Sequence, residues 1–171
     1  MRIVLLGYMG SGKSTVGKLL AQHLNFQFLD LDDYIESQLN ASISSIFKDK
    51  GEIYFRKKET ELLHKALHEM DDVVLSVGGG TPCYANNMNI ILEETPWVFY
   101  LKCSIPTLVK RLSRGKEHRP LISHLKEEEI PEFIGKHLFE RSPFYSRAHK
   151  TILCDTKSAQ TISTEIQNDL V

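Results

Sequence analysis

Short runs of apolar residues recur along the chain, and each is followed by a longer stretch of mixed polarity. The runs lie at residues 3–6, 27–29, 73–77, 98–101 and 151–154 and are rich in β-branched and aromatic residues. A strand that is apolar on both faces is typical of the interior of a parallel sheet, because helices then cover both sides. We therefore predict five strands that belong to a parallel sheet.

The stretches between the runs have helical patterns. Residues 13–24 carry apolar side chains at helical spacing, and Gly51 separates two further candidate helices. The alternation of strand and helix predicts a doubly wound α/β fold with right-handed crossovers. Because ligands bind such sheets beyond the carboxyl ends of the strands, functional loops are expected after residues 6, 29, 77 and 101. The predicted helices span residues 13–24, 42–48, 54–69, 85–93, 105–114, 127–145 and 159–170.

Composition narrows the class of protein. A chain of 171 residues with 42% hydrophobic and 25% charged residues is expected to form one domain with a real core. Twenty-one basic and 22 acidic residues give a net charge of −1, which disfavours a bulk nucleic-acid binder but allows a local basic pocket. No apolar run approaches the roughly 18 residues that cross a membrane. Three cysteines without a C-x-x-C pair argue against a disulfide scaffold or structural zinc, so we expect a reduced, cytoplasmic protein.

A phosphate-binding motif follows the first predicted strand. Residues 7–15 read GYMGSGKST and fit G-x-x-x-x-G-K-[ST]. The glycines let backbone N–H groups turn toward a phosphate, Lys13 adds a positive charge for the β- and γ-phosphates, and Ser14 offers a hydroxyl to Mg²⁺. The amino end of the next helix adds partial positive charge. A strand before the motif and an amphipathic helix after it provide the required context.

Carboxylates end the second predicted strand, where residues 26–33 read FQFLDLDD. In an extended chain, Asp30 and Asp32 point to the same side because they are two residues apart. We predict that one of them reaches the metal shell and the other the phosphate acceptor. The alternative is a helix N-cap, which is a favoured position for Asp and a sufficient role for Asp33.

Three consecutive glycines, Gly78, Gly79 and Gly80, follow the third predicted strand. Such a run is entropically unfavourable in the folded chain, so it indicates close backbone approach to a ligand. The alternative is a tight turn between a strand and a helix.

Four arginines are the remaining candidates. Arg56 lies three residues before Glu59 on one helical face, which by itself is typical of a surface ion pair. Arg119 lies in a long polar segment that reads as a surface loop, the kind of segment that often forms a lid. Arg141 lies near a helix end, and Arg111 could stack on a base or simply extend into solvent. Guanidinium groups bind carboxylates and phosphates bidentately, although each arginine alone is more often solvated.

The order of these motifs resembles the shikimate kinase family. The series is the phosphate loop, Asp-x-Asp, Gly-Glu-x-x-Phe-Arg-x-x-Glu, the three glycines, Arg-Pro-Leu and Arg-x-Pro-x-Tyr, and it extends from residue 7 to residue 145. The resemblance implies a three-layer αβα fold of the nucleoside-monophosphate-kinase type with a mobile lid and a five-stranded parallel sheet. It also implies ATP- and Mg²⁺-dependent phosphorylation of the 3-hydroxyl of shikimate, a step of chorismate and aromatic amino-acid biosynthesis.

The resemblance also implies roles for residues. The single kinase domain, residues 1–171, would contain a shikimate-binding region at about 32–60 and a lid at about 113–125, and a monomer would be the default state. Ser14 and Asp30 would bind the metal, and the catalytic residues would be Asp32, Lys13 and Arg119. ATP would contact Gly10, Ser11, Gly12, Lys13, Ser14, Thr15, Arg111 and Arg119. Shikimate would contact Asp32, Arg56, Gly78, Gly79, Gly80 and Arg141.

Two other functions stay open at this stage. One is a different small-metabolite kinase, such as a gluconate-kinase-like enzyme, and the Asp-x-Asp spacing and the Arg56 and Arg141 pair favour shikimate over gluconate. The other is a non-catalytic nucleotide-binding module. Neither an Asn-Lys-x-Asp guanine reader nor an Asp-x-x-Gly switch motif is present, which disfavours a GTPase.

Overall fold

A parallel sheet forms the centre of the molecule. The computed structural model describes residues 1–119 and 121–170, and within these residues five strands form one sheet in the order β2-β3-β1-β4-β5. Neighbouring strands of this sheet are all parallel, with Val4 opposite Leu75 on one side and Val98 on the other. The predicted strands are confirmed to within one residue at each end. They are β1 Arg2–Leu6, β2 Gln27–Asp30, β3 Val73–Ser76, β4 Val98–Lys102 and β5 Lys150–Leu153.

Helices cover both faces of the sheet. Because successive strand residues point to opposite faces, Ile3 and Leu5 enter one core cluster and Val4 and Leu6 enter the other. The first cluster is completed by helices α1, α5, α6 and α7, and the second mainly by α2, α3 and α4. The three-layer prediction is therefore confirmed. The helices are α1 Lys13–Leu24, α2 Leu31–Leu39, α3 Ile43–Glu69, α4 Asn87–Glu94, α5 Ile105–Ser113, α6 Ile130–Tyr145 and α7 Ala159–Asp169.

Helix α2 was not among the predicted helices. It begins directly after β2, with Asp30 as its N-cap in an extended conformation. The Asp30 side chain accepts a hydrogen bond of 3.1 Å from the backbone N–H of Asp32. The chain therefore turns helical between these two aspartates, and the prediction that an extended chain aligns their side chains was wrong.

Helix α3 is divided by Gly51. This residue has φ 83° and ψ 172°, which breaks the helical path within α3. No atom lies within 4 Å of the position that a Cβ would occupy, so conformation rather than space favours glycine here. The predicted division of this segment at Gly51 is confirmed.

The segment at 113–125 packs one side chain into the hydrophobic core. A short 3₁₀ helix, Lys116–His118, follows α5, and Ile122 is completely buried in the same cluster as β1 and β4. The prediction of a surface loop was wrong on this point, because one buried residue such as Ile122 produces no periodicity that a sequence pattern could show. Pro120 of the Arg-Pro-Leu motif lies outside the described residues. Of the helices in the described ranges, none is long and apolar enough to cross a membrane.

Candidate active site

A cavity of 410 Å³ opens at the carboxyl ends of β1, β2 and β3. This is the edge of a parallel sheet where ligands bind, and the loops after residues 6, 29 and 77 all contribute to it. The lining residues are Met9, Gly10, Gly12, Lys13, Ser14, Thr15, Asp30, Asp32, Ser76, Val77, Gly78, Gly79 and Arg119.

The phosphate loop wraps the amino end of α1. Gly10 and Gly12 have φ values of 78° and 96°, in the left-handed region that residues with a Cβ rarely adopt. Gly12 is the N-cap of α1, and its carbonyl accepts a bond of 2.9 Å from Val16. The helix therefore presents its free N–H groups and its positive dipole end to the cavity. This end of α1 is suited to bind phosphate groups.

Lys13 extends along the inside of the loop. Its Nζ donates to the carbonyl oxygens of Gly7 at 2.8 Å and Tyr8 at 3.1 Å. Burial lowers the pKa of Lys13 to about 8, while the carboxylates of Asp30 and Asp32 oppose that shift. The ammonium is thus poorly solvated and is stabilised by nearby acids. An anion that binds beside it is therefore attracted more strongly than it would be in water.

Two oxygen ligands suited to Mg²⁺ lie side by side in the cavity. Ser14 Oγ, at the start of α1, donates to Asp30 Oδ2 at 2.8 Å, at the end of β2. Mg²⁺ prefers hard oxygen ligands and usually takes one or two from the protein and the rest from phosphates and water. The described residues contain no cluster of three metal-ligating His, Cys, Asp or Glu side chains. Ser14 and Asp30 fit a metal that is shared with a nucleotide.

Asp32 is a half-buried carboxylate with other carboxylates near it. Burial raises the pKa of Asp32 to about 6, the carboxylates of Asp30 and Glu59 add to the shift, and Lys13 opposes it. A Cβ at Gly78 would lie 3.1 Å from Asp32 Oδ1, so the glycine backbone gives this carboxylate room. Asp32 lines the cavity as the sequence predicted, although its place is the first turn of α2.

The glycine loop allows two arginines to approach the backbone. A Cβ at Gly79 would lie 3.3 Å from Arg141 Nη1, and a Cβ at Gly80 would lie 3.0 Å from Arg56 Nη2. None of the three glycines has a positive φ, so glycine is favoured here because a side chain would not fit, and not because the backbone conformation requires it. The structure thus brings Arg56 and Arg141 to neighbouring residues of one loop, although neither lines the cavity itself.

Arg56 is held by a buried acid. Glu59 is only 1% exposed and accepts from Arg56 Nη1 at 2.8 Å and from Thr81 Oγ1 at 2.6 Å. The carbonyl of Thr81 in turn accepts from Asn87 Nδ2 at 2.9 Å. The alternative of a surface ion pair for Arg56 and Glu59 was therefore wrong. The pair belongs to a buried network that fixes the guanidinium.

Arg141 lies over the phosphate loop. Its Cζ is 5.5 Å from the centre of the Tyr8 ring, and the Tyr8 hydroxyl is 2.8 Å from His137 Nδ1, one turn earlier on α6. Burial raises the pKa of Tyr8 to about 12, so its hydroxyl stays protonated. Tyr145 donates a hydrogen bond to the carbonyl oxygen of Gly79. Helix α6 is thereby attached to both loops that carry the site.

The two remaining arginines occupy different positions. Arg119 lines the cavity, together with Gly78 and Gly79 of the glycine loop. Arg111 instead donates from Nη1 to the carbonyl oxygens of Gly10 at 3.1 Å and Ser11 at 3.3 Å, on the outer side of the phosphate loop. It does not line the cavity.

Sequence reasoning missed the supporting aromatic residues. Tyr8 and Tyr84 contact the guanidinium groups of Arg141 and Arg56. Tyr8 lies within the phosphate motif and Tyr84 lies four residues after Gly80, so proximity in sequence was the only available signal. The contacts themselves depend on how distant loops pack.

Comparisons with known proteins point to one enzyme family. A sequence model described as shikimate kinase matches residues 9–171. The chain is 45% identical over 169 residues to a shikimate kinase of Flavobacterium psychrophilum, covering 99% of this chain and 98% of that protein. A shikimate kinase structure from Bacteroides thetaiotaomicron superposes with a TM-score of 0.90 at 36% identity, covering 98% of this chain and 95% of the other. One from Acinetobacter baumannii, in complex with shikimate, gives 0.88 at 34% identity over 99% and 92% of the two chains. The chain belongs to the shikimate kinase family.

Proposed function

We propose that this protein transfers the γ-phosphoryl group of ATP to the 3-hydroxyl of shikimate. The observation that carries the proposal is the placement of Asp32, Arg141 and Arg56 at three consecutive glycines beside the phosphate loop. Two guanidinium groups match the carboxylate of a small anionic polyol, and a carboxylate matches its hydroxyl groups. The relative from Acinetobacter baumannii was solved with shikimate, which supports the same acceptor here.

The nucleotide would occupy the phosphate loop. Backbone N–H groups at the amino end of α1 and the Lys13 ammonium would bind the phosphates, and Arg119 would reach the transferring group from the lid segment. Arg111 would lie nearest the base, where its guanidinium also anchors the loop carbonyls. The contacting residues would be Gly10, Ser11, Gly12, Lys13, Ser14, Thr15, Arg111 and Arg119.

The acceptor would lie between the glycine loop and α2. Asp32 would accept a hydrogen bond from the reacting hydroxyl and orient its oxygen toward the phosphorus. Phosphoryl transfer proceeds through a loose transition state, so positioning and charge neutralisation dominate and Asp32 need not be a strong base. Its ionised form predominates above about pH 6, which suits a hydrogen-bond acceptor.

Ser14 and Asp30 would hold Mg²⁺. The metal supplies Lewis-acid charge that neutralises the phosphate oxygens when it is bound. The protein's contribution is to keep the Ser14 hydroxyl and the Asp30 carboxylate adjacent at 2.8 Å.

The domain would contain an acceptor-binding region and a mobile lid. We assign shikimate binding to residues 32–60 together with the glycine loop, and the lid to residues 113–125 of a single kinase domain. Closure of the lid would bring Arg119 onto the phosphates and exclude water, which limits futile hydrolysis of ATP.

A coupled assay of ADP release tests the proposal. The enzyme is supplied with ATP and Mg²⁺, with shikimate, with gluconate or with neither. We expect strong stimulation by shikimate and none by gluconate. Stimulation by gluconate alone would show that gluconate and not shikimate is the acceptor. Nucleotide binding without stimulation by either compound would indicate a non-catalytic module.

A further inference from the structure

Tyr84 is an exposed aromatic residue with a specific contact. Its side chain retains 37% of its accessible surface, which is high for a large ring. The Cζ of Arg56 lies only 3.7 Å from the centre of this ring, a distance at which the two groups are stacked. The ring quadrupole attracts a guanidinium cation placed over its face.

The surroundings of Arg56 show what the stacking adds. Glu59 binds one edge of the guanidinium through Nη1 at 2.8 Å, and the Gly80 backbone limits it on the side of Nη2. Tyr84 supports the flat face, which has no hydrogen-bond donors. Together with the more distant Glu52 carboxylate at 3.6 Å and the Phe55 ring, whose centre is 5.2 Å from Cζ, these contacts define the position of the group and its plane.

Donor capacity of Arg56 remains available after these contacts. Within the described part of the chain, its Nε is buried and has no hydrogen-bond partner. This atom takes part in a longer ion pair instead: Oε1 of the exposed Glu52 lies 3.6 Å from Nε, beyond hydrogen-bonding range. Glu59 and the exposed Glu52 are acidic neighbours of the guanidinium, and the neutral ring of Tyr84 covers its face without adding a further negative charge that would repel an anionic ligand.

We infer that Tyr84 is a positioning residue for the acceptor: its ring holds the Arg56 guanidinium in the plane in which it binds the acceptor's carboxylate. The inference rests on the proposed function, because it takes shikimate as the ligand of Arg56. It gives Tyr84 no contact with the transferred phosphate. Loss of the ring therefore weakens acceptor binding and leaves nucleotide binding unchanged.

A series of substitutions separates the cation–π contact from simple packing. Tyr84→Phe retains the ring, Tyr84→Leu retains apolar bulk without a π face, and Tyr84→Ala removes both. Cation–π contacts of this kind correspond to roughly 3- to 30-fold in affinity. We expect the dissociation constant of shikimate, measured by calorimetry, to rise by that factor in the Leu and Ala variants and to change less than about twofold in the Phe variant.

An acceptor that lacks the negative charge provides a second test. The carboxamide of shikimate cannot form the ion pair with Arg56, so its binding or its KM should be equally weak in the wild type and in Tyr84→Ala. A merely structural role for Tyr84 would weaken both acceptors alike. The KM for ATP and the dissociation constant of Mg²⁺–ADP should stay at their wild-type values in all variants.

Control measurements separate a failure of this inference from a failure of the proposed function. Phe139→Ala, another exposed aromatic residue at 86%, should change none of these constants. Unchanged shikimate affinity in Tyr84→Ala, equal affinity in the Leu and Phe variants, or a parallel loss of nucleotide affinity would each overturn the inference. A wild-type enzyme that does not bind shikimate would contradict the proposed function itself, before any variant is compared.

Discussion

At the scale of single residues, the site places ionisable groups where burial opposes their charge. Lys13 has its pKa lowered to about 8 by burial and Asp32 has its pKa raised to about 6 by burial. Shifts of this direction are typical of functional sites, because a purely structural position would tolerate an uncharged side chain at lower free-energy cost. The folded state is therefore less stable than the same fold with a neutral residue at position 32.

Asp32→Asn should stabilise the fold and impair the reaction. The pKa of Asp32 lies near 6 in the folded state against 3.8 for the free group, so the folded state holds the proton more tightly. The resulting destabilisation is absent below about pH 4 and is complete above pH 6, where it is at most about 3 kcal/mol. Thermal melting should show a higher Tm for the variant at pH 7 and an equal Tm at pH 3.5.

Kinetics on the same variant test the role of the carboxylate. The turnover number should fall roughly 10²- to 10⁴-fold, with little change in ATP affinity, because an amide oxygen accepts a hydrogen bond without negative charge. Asp33→Asn, on the exposed neighbour, is the matched control and should leave Tm and turnover near the wild type. Wild-type turnover in Asp32→Asn would remove Asp32 from its proposed role.

Arg141→Ala should act on acceptor binding. The guanidinium lies against Gly79 and Tyr8 and is half-buried, so its removal leaves the acceptor's carboxylate with Arg56 as its remaining cationic partner. We expect the binding free energy of shikimate to weaken by about 2–5 kcal/mol, with Mg²⁺–ADP binding retained. Titration calorimetry measures both. A shikimate isotherm equal to that of the wild type would exclude the carboxylate clamp.

At the scale of secondary-structure elements, the sequence pattern predicted the strands well but missed helix α2 and the burial of Glu59. The strands were predictable to within one residue because buried parallel strands are continuous apolar runs. Helix α2 was not, because Leu31 follows β2 without a linker and its acidic first turn reads equally well as a binding loop. The buried state of Glu59 was also hidden, since an Arg and a Glu three residues apart usually form a surface pair. The structure shows Glu59 to be buried and hydrogen-bonded to Thr81, which comes from a loop that is distant in the sequence.

Substitution by alanine should change the free energy of unfolding in opposite directions at two glycines that lie within helices. Gly51 interrupts α3 at φ 83°, where a Cβ is strained, so Gly51→Ala should destabilise the protein by about 1 kcal/mol. Gly135 lies inside α6, and its added Cβ would meet Ile105 at an ordinary 3.7 Å, so Gly135→Ala should stabilise by roughly 0.5–1 kcal/mol. Urea unfolding of both variants provides the comparison. Equal signs would contradict the conformational argument at Gly51.

At the scale of the whole molecule, the site is assembled from loops that are far apart in sequence. The phosphate loop, the β2–α2 junction and the glycine loop meet because parallel strands end at one edge of the sheet. The 113–125 segment follows α5 and adds Arg119 to the same cavity. Sequence could predict this meeting from topology alone, but not the attachment of α6 through Tyr8, His137 and Gly79. Those contacts depend on packing over more than 60 residues of intervening chain. The monomeric state stays a prediction.

Arg119 tests whether the lid segment takes part in the chemistry. Its carbonyl accepts from Ile122 and Ser123 at 3.0 and 2.8 Å, and its N–H donates to Lys116 at 2.9 Å, so buried Ile122 and the local turn set its position on the cavity wall. Arg119→Met should lower turnover by roughly 10²- to 10³-fold, the usual effect of removing one donor that stabilises transition-state charge. ATP affinity and Tm should change little. Arg114→Met, on the exposed part of the same segment, is the control and should retain wild-type turnover. Equal activity in the two variants would place the charge stabilisation on Lys13 and the metal alone, and would leave the 113–125 segment with no chemical role beyond covering the site.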